Sequence, residues 1–143
     1  MLTPPWLVSS SALLATLPVG PKIYSGSRMA RNNTTRSIKM LESRGLLGWR
    51  VEEYNAFSRQ YRDLFGFIDV LAVGPGQVVG CQTTSFSGMS SRRKKILEHE
   101  NLEAVLSAGI RVELHGWRKV KNRYRARVQV LRPGVGFEDV DPG

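Results

Sequence analysis

From Asn33 onward the apolar positions fall at helical spacing. Ile38 and Leu41, with Met40 beside them, make a stripe that follows two residues, Asn33 and Thr34, able to cap a first turn, and Gly45 closes the segment. The pattern then changes period. Trp49 to Asn55 alternates, which predicts a strand with Trp49, Val51 and Glu53 on one face and Arg50, Glu52 and Tyr54 on the other. Two apolar runs, Phe65 to Val73 and Gln77 to Thr84, flank Gly74-Pro75-Gly76 and predict a hairpin. Ser87 to Ser91 offer caps for a long helix over SRRKKILEHENLEAVLSAG. Its apolar face is Ile96, Leu97, Leu102, Val105 and Leu106, and Gly109 is its stop. Arg111 to Arg118 and Arg123 to Leu131 complete the pattern as strands joined by a short basic turn, so the expected order is α-β-β-β-α-β-β in one α/β domain.

The two ends differ from this core. Residues 1–30 are rich in proline and serine and almost uncharged, and are expected to be a weakly ordered extension, with Met29 as an alternative start. Their apolar run lacks the positive start of a secretory signal and is too short and too broken by Ser and Thr for a membrane span, so no membrane association is expected. Residues 31–132 form the domain. The acidic segment 133–143 is expected to be a flexible tail.

Charge alters the picture most. The chain carries 21 Lys and Arg against 12 Asp and Glu. Setting aside Lys22 and Arg28 at one end and Glu138, Asp139 and Asp141 at the other leaves 19 bases against 9 acids. A compact domain with that surplus attracts polyanions, nucleic acid foremost. Two groups of bases stand out. Arg92, Arg93, Lys94 and Lys95 cluster at a predicted helix start. Lys119, Lys121, Arg123, Arg125 and Arg127 occupy the last turn and strand, where the three arginines share one face at about 6.5–7 Å spacing. Trp117 and Tyr124 lie beside them, to stack on bases or to cover the sheet. The single cysteine, Cys81, excludes an internal disulfide and a multi-cysteine zinc site; it reads as a small buried hydrophobe in a reducing cytoplasm. His115 shares a strand face with Arg111, Glu113 and Trp117 and reads as structural or surface.

One polar constellation interrupts the apolar hairpin. Parity puts Gln82 and Thr84 on one face of their strand and Cys81 and Thr83 on the other, while the neighbouring strand brings Asp69 alongside. A buried Asp needs a partner, whether a base such as Arg62, backbone donors or a metal ion. A closed hydrogen-bond network is the plainer account of the same residues.

The segments DLFGFIDVLA (63–72) and GCQTTS (80–85), set in this element order, resemble the PD-(D/E)XK nuclease superfamily, in particular its small Holliday-junction-resolvase-like and phage-associated members. The resemblance implies a restriction-endonuclease-like core with a central mixed sheet flanked by helices. It also implies hydrolysis of phosphodiester bonds, assisted by Mg2+ or Mn2+, in DNA that is branched or otherwise structured. It would make Asp69 the metal ligand, put Gln82 in the second acidic position and Thr84 in the lysine position, and use the Thr83 carbonyl as a further ligand. A glutamate completes such sites; Glu42, Glu52 and Glu53 are candidates, and Glu53 is preferred because it shares a face with Trp49 and Val51. The chain departs from the pattern at two places, since Gln82 gives up a negative charge and Thr84 supplies no cation. One of Arg92 to Lys95 can reach back to replace the missing lysine. Otherwise the fold serves as a catalytically degenerate nucleic-acid-binding module; a third reading is a protein whose basic face meets an acidic partner. The family also leaves a homodimer open and, if the chain is phage-encoded, places it in the host cytoplasm.

Overall fold

The computed structural model describes residues 28–142. A helix, α1 (Arg28–Ser43), precedes β1 (Leu47–Arg50), the short pair β2 (Glu53–Asn55) and β3 (Gln60–Arg62), then β4 (Val70–Gly74) and β5 (Gln77–Ser85). A 3-10 turn (Phe86–Gly88), α2 (Met89–Leu97) and α3 (Leu102–Ser107) lead to β6 (Ile110–Val120), β7 (Arg123–Arg132) and β8 (Gly136–Val140). The fold is α/β, with a mixed six-stranded sheet in the order β1-β4-β5-β6-β7-β8. Among the described strands only β5 and β6 run parallel, because α2 and α3 return the chain between them. No described helix is long and apolar enough to cross a membrane.

Alternation along the strands sorts the core into two layers. Val70, Ala72, Val79 and Cys81 face Ile38, Leu41 and Leu46 of α1 and its exit. Val112, Leu114 and Leu131 face the other way, onto Phe67, Ile68, Met89, Ile96 and Val105.

Several expected boundaries move, each for a local reason. The Trp49 to Asn55 strand divides, because Val51 N donates to Asp69 O at 2.9 Å and Glu53–Asn55 then leaves for its own hairpin with Gln60–Arg62. The Asn55 carboxamide turns that hairpin by accepting from Phe57 N at 2.9 Å and Ser58 N at 3.3 Å. The Phe65 to Val73 strand begins only at Val70, because Phe65 (φ 56°) and Gly66 (φ 92°) form a tight turn. The long helix breaks at 98–101. His99 Nδ1 accepts from Asn101 N at 3.1 Å, Asn101 Nδ2 donates to Phe65 O at 3.0 Å, and these local bonds replace helical ones.

The acidic segment expected to be a mobile tail is instead edge strand β8. Its Asp139 takes Arg127 at 2.7 and 3.1 Å and its Glu138 takes Arg132 at 2.6 Å. The extension expected over 1–30 lies outside the described residues apart from 28–30, which belong to α1.

Candidate functional site

The turn before β4 creates the site. Leu64 and Ile68 form an antiparallel bridge, Leu64 N to Ile68 O at 2.9 Å and Ile68 N to Leu64 O at 3.0 Å, so the residues that flank it, Asp63 and Asp69, stand opposite each other. Gly66 is required at the apex: a side chain there would meet His99 Nε2 at 2.2 Å, and the backbone is left-handed. The bond from Val51 to Asp69 sets Glu52 against the same end of β4. One carboxylate oxygen from each of Glu52, Asp63 and Asp69 lies within 4.8 Å of one from each of the others, and these oxygens could hold a metal ion.

Two bases serve the outer acids. Arg50 donates to Glu52 at 2.5 Å, and Lys95, from α2, to Asp63 at 3.1 Å. Asp69, the innermost at 5% exposure, has no base among its described partners; Arg62 lies exposed on β3. Its Oδ2 accepts from Gln82 Nε2 at 2.5 Å, Thr83 N at 2.9 Å and Thr83 Oγ1 at 3.3 Å.

Burial raises the Asp69 pKa well above the usual carboxylate range, the hydrogen bond and charge of Asp63 and the charge of Glu52 push the same way, and the Thr83 amide opposes them. Burial also raises Glu52, against the pull of Arg50. Two like carboxylates at 4–5 Å repel by roughly 3–4 kcal/mol at an effective dielectric of about 20. A hydrogen bond to a charged group returns about 1.5–3 kcal/mol. The cluster therefore favours either a shared proton or an added cation. The carbonyl oxygen of Gln82 sharpens the point, since it is buried with no hydrogen-bond partner among the described residues, in a residue 2% exposed, one amide's width from the group that meets Asp69. Hard, largely anionic oxygens with one such acceptor to spare fit a hard divalent cation.

Of the residues expected from sequence, Asp69 and Gln82 come together as parity requires, and Thr83, whose side chain leaves the strand on the other face, joins them through its amide and hydroxyl. Glu53 does not join them. It is exposed on β2, and Glu52 takes its place because the strand divides between the two. Glu42 is exposed on α1. Thr84 shares the face of Gln82 but packs on the 3-10 turn, where its Oγ1 would lie 2.3 Å from any side chain at Gly88. Asp63 is the residue sequence reasoning passed over. The signal was present in DLFGFID, two acids placed symmetrically about a glycine turn.

The basic groups divide as well. In the helix cluster Lys95 reaches the acids, Arg93 bonds Gln129 at 2.9 Å, Arg92 is half-buried and Lys94 is exposed. Lys119, Lys121, Arg123 and Arg125 are exposed on the β6–β7 hairpin, whose turn is left-handed at Lys121 and Asn122. Arg127 leaves the expected ridge of three arginines because Asp139 binds it in a two-pronged pair, which raises the Arg127 pKa and lowers that of Asp139.

On the α1 face lies a second polar network. Glu113 is fully buried and takes Arg44 through two 2.9 Å bonds, Arg111 at 3.0 Å and His115 Nε2 at 2.9 Å. Ser37 holds the other ring nitrogen of His115 at 3.0 Å and accepts from Trp117 at 2.9 Å. Burial would raise Glu113, but the His115 and Arg44 bonds bring it down to about 2; burial lowers His115, against the pull of the Glu113 carboxylate. Cys81, beside this network, is buried, and burial raises its pKa, so it is a packing residue. No model of a known protein family matches the chain, and no curated protein is significantly similar to it.

Proposed function

We propose that the chain is a divalent-metal-dependent phosphodiesterase acting on DNA, built on a restriction-endonuclease-like core. The observation that carries the proposal is the convergence of the Glu52, Asp63 and Asp69 carboxylates, with the innermost one unmatched by any described base. The element order supports it: a helix, an antiparallel trio β1-β4-β5, a helical crossover and a parallel β6. So does the surplus of bases over acids along the chain, 21 against 12.

Glu52, Asp63 and Asp69 would hold Mg2+ or Mn2+, with the spare carbonyl oxygen of Gln82 as a further donor. A bound ion of this kind supplies a Lewis acid that polarises a phosphate oxygen and eases deprotonation of water. The chain's own residues do the rest. Thr83 fixes the Asp69 carboxylate through two hydrogen bonds, so Asp69 presents a set orientation. Lys95, at the rim of the acids and 38% exposed, supplies the cation that Thr84 cannot, meeting negative charge that develops on the scissile phosphate. Lys119, Lys121, Arg123 and Arg125 hold the phosphate backbone.

The test is incubation of the pure protein with supercoiled and branched DNA in Mg2+ or Mn2+. Nicking by the wild type, lost in Asp69→Ala while DNA binding persists, is the expected result. Salt-sensitive binding without nicking in either metal would instead support the degenerate binding module, which the Gln82 and Thr84 substitutions favour.

A further inference from the structure

At the end of β5, beyond the acids, lies a groove of about 370 Å3 bounded by the start of α1, the 3-10 turn and the β6–β7 hairpin. That volume lies within the roughly 300–1,000 Å3 range of small-ligand sites. Its walls combine rings and cations. The Arg36 guanidinium lies 3.3 Å from the centre of the Tyr124 ring, and Arg118 lies 4.5 Å from that of Phe86. Trp117 and Lys119 also line it, and none of the described lining residues is acidic. Tyr124 remains 46% exposed although one face is covered, so ring surface is still open to a ligand.

This pairing of ring and guanidinium is unlike the rest of the basic surface. A phosphate-binding face needs cations alone, whereas flat rings capped by planar cations offer stacking surface to a flat partner. Duplex DNA keeps its bases stacked inside and cannot use such walls; an unpaired nucleotide presents both a base face and a phosphate. The groove lies close to the acids along β5. Ser85 lines it and Thr83 holds Asp69 two residues earlier on β5, about 6.5–7 Å along the strand.

We infer that this groove binds an unpaired nucleotide of the substrate, stacking its base on the Arg36–Tyr124 and Arg118–Phe86 pairs, so that the chain engages single-stranded or locally unpaired DNA in preference to continuous duplex. The inference extends the phosphodiesterase reading by naming its substrate class. Its experiment needs no metal and no cleavage, so each can fail separately.

Binding of the full chain to a fluorescently labelled oligonucleotide of about 20 nucleotides, and to the same strand in duplex, is measured by anisotropy in EDTA. Wild type is expected to bind the single strand about tenfold or more tightly than the duplex. Tyr124→Ala and Arg118→Ala should each weaken single-strand binding by about five-fold to a hundred-fold, the range of a lost base stack, and change duplex binding little. Tyr124→Phe, which keeps the ring, should bind like wild type and so separates lost stacking from lost folding. Equal wild-type affinities for the two DNAs would overturn the inference. So would a Tyr124→Ala protein that binds the single strand unchanged, or one that loses single-strand and duplex binding in equal measure.

Discussion

The ammonium of Lys95 lies 3.1 Å from Oδ2 of Asp63, tying α2 to the turn that precedes β4 across 32 residues of sequence. That contact sets a cation at the edge of three acids without burying it. If Lys95 meets charge developing on phosphate, Lys95→Ala should lower the cleavage rate by about 10²- to 10³-fold, the usual loss for one such charge-stabilising group. Metal affinity should hold or rise, because the ammonium competes for Asp63. Single-turnover cleavage with saturating Mn2+ checks this, and an unchanged rate would assign Lys95 to structure alone.

Asp69 should make the metal-free protein less stable as pH rises. Its folded pKa lies above its unfolded value of about 3.9, so between the two values the native state keeps a proton that the unfolded chain has released. Stability therefore falls through that window, and the full cost of the buried charge is present above the folded pKa. Asn at this position still accepts from the Thr83 amide and can donate to the orphaned Gln82 oxygen. In EDTA at neutral pH, Asp69→Asn is expected to raise the Tm, by roughly 2–8 °C for each kcal/mol recovered. The gap should close as pH approaches 4. A variant less stable than wild type at neutral pH would show that Asp69 is already compensated.

Glu113 should behave in the opposite sense. Its folded pKa, near 2, lies below the unfolded value, so its contribution is complete above about 4.3 and is lost as pH falls toward 2. Glu113→Gln leaves Arg44 and Arg111 without their carboxylate and is expected to cost about 3 kcal/mol at neutral pH. Urea denaturation at pH 7 and pH 3 measures both effects, and the difference between variant and wild type should be smaller at the lower pH.

Much of this was written in the sequence, and what was not has a physical cause. Strand period placed Gln82 on the face that meets Asp69 and Cys81 in the core, because one strand face is strictly every second residue. The β5 strand, the β6–β7 hairpin and the glycine stop at Gly109 followed from the same local rules. Alternation along an unbroken strand favours Glu53 over Glu52, and the break depends on a bond from Val51 to Asp69 that no local pattern announces. The pairing of Arg127 with Asp139 was hidden because β8 is held by β7 and by ion pairs, while its own sequence reads as an acidic tail. Lys95 was one of four bases on one helix turn; only the path of the 63–69 turn selects it.

Calorimetric titration of Mn2+ into the full chain asks whether Glu52, Asp63 and Asp69 together hold one divalent ion. Wild type and Glu53→Gln should each bind one ion, and Glu52→Gln, Asp63→Asn and Asp69→Asn should lose that binding. Absence of binding in the wild type, or binding that survives all three of those substitutions, would contradict the proposed metal site.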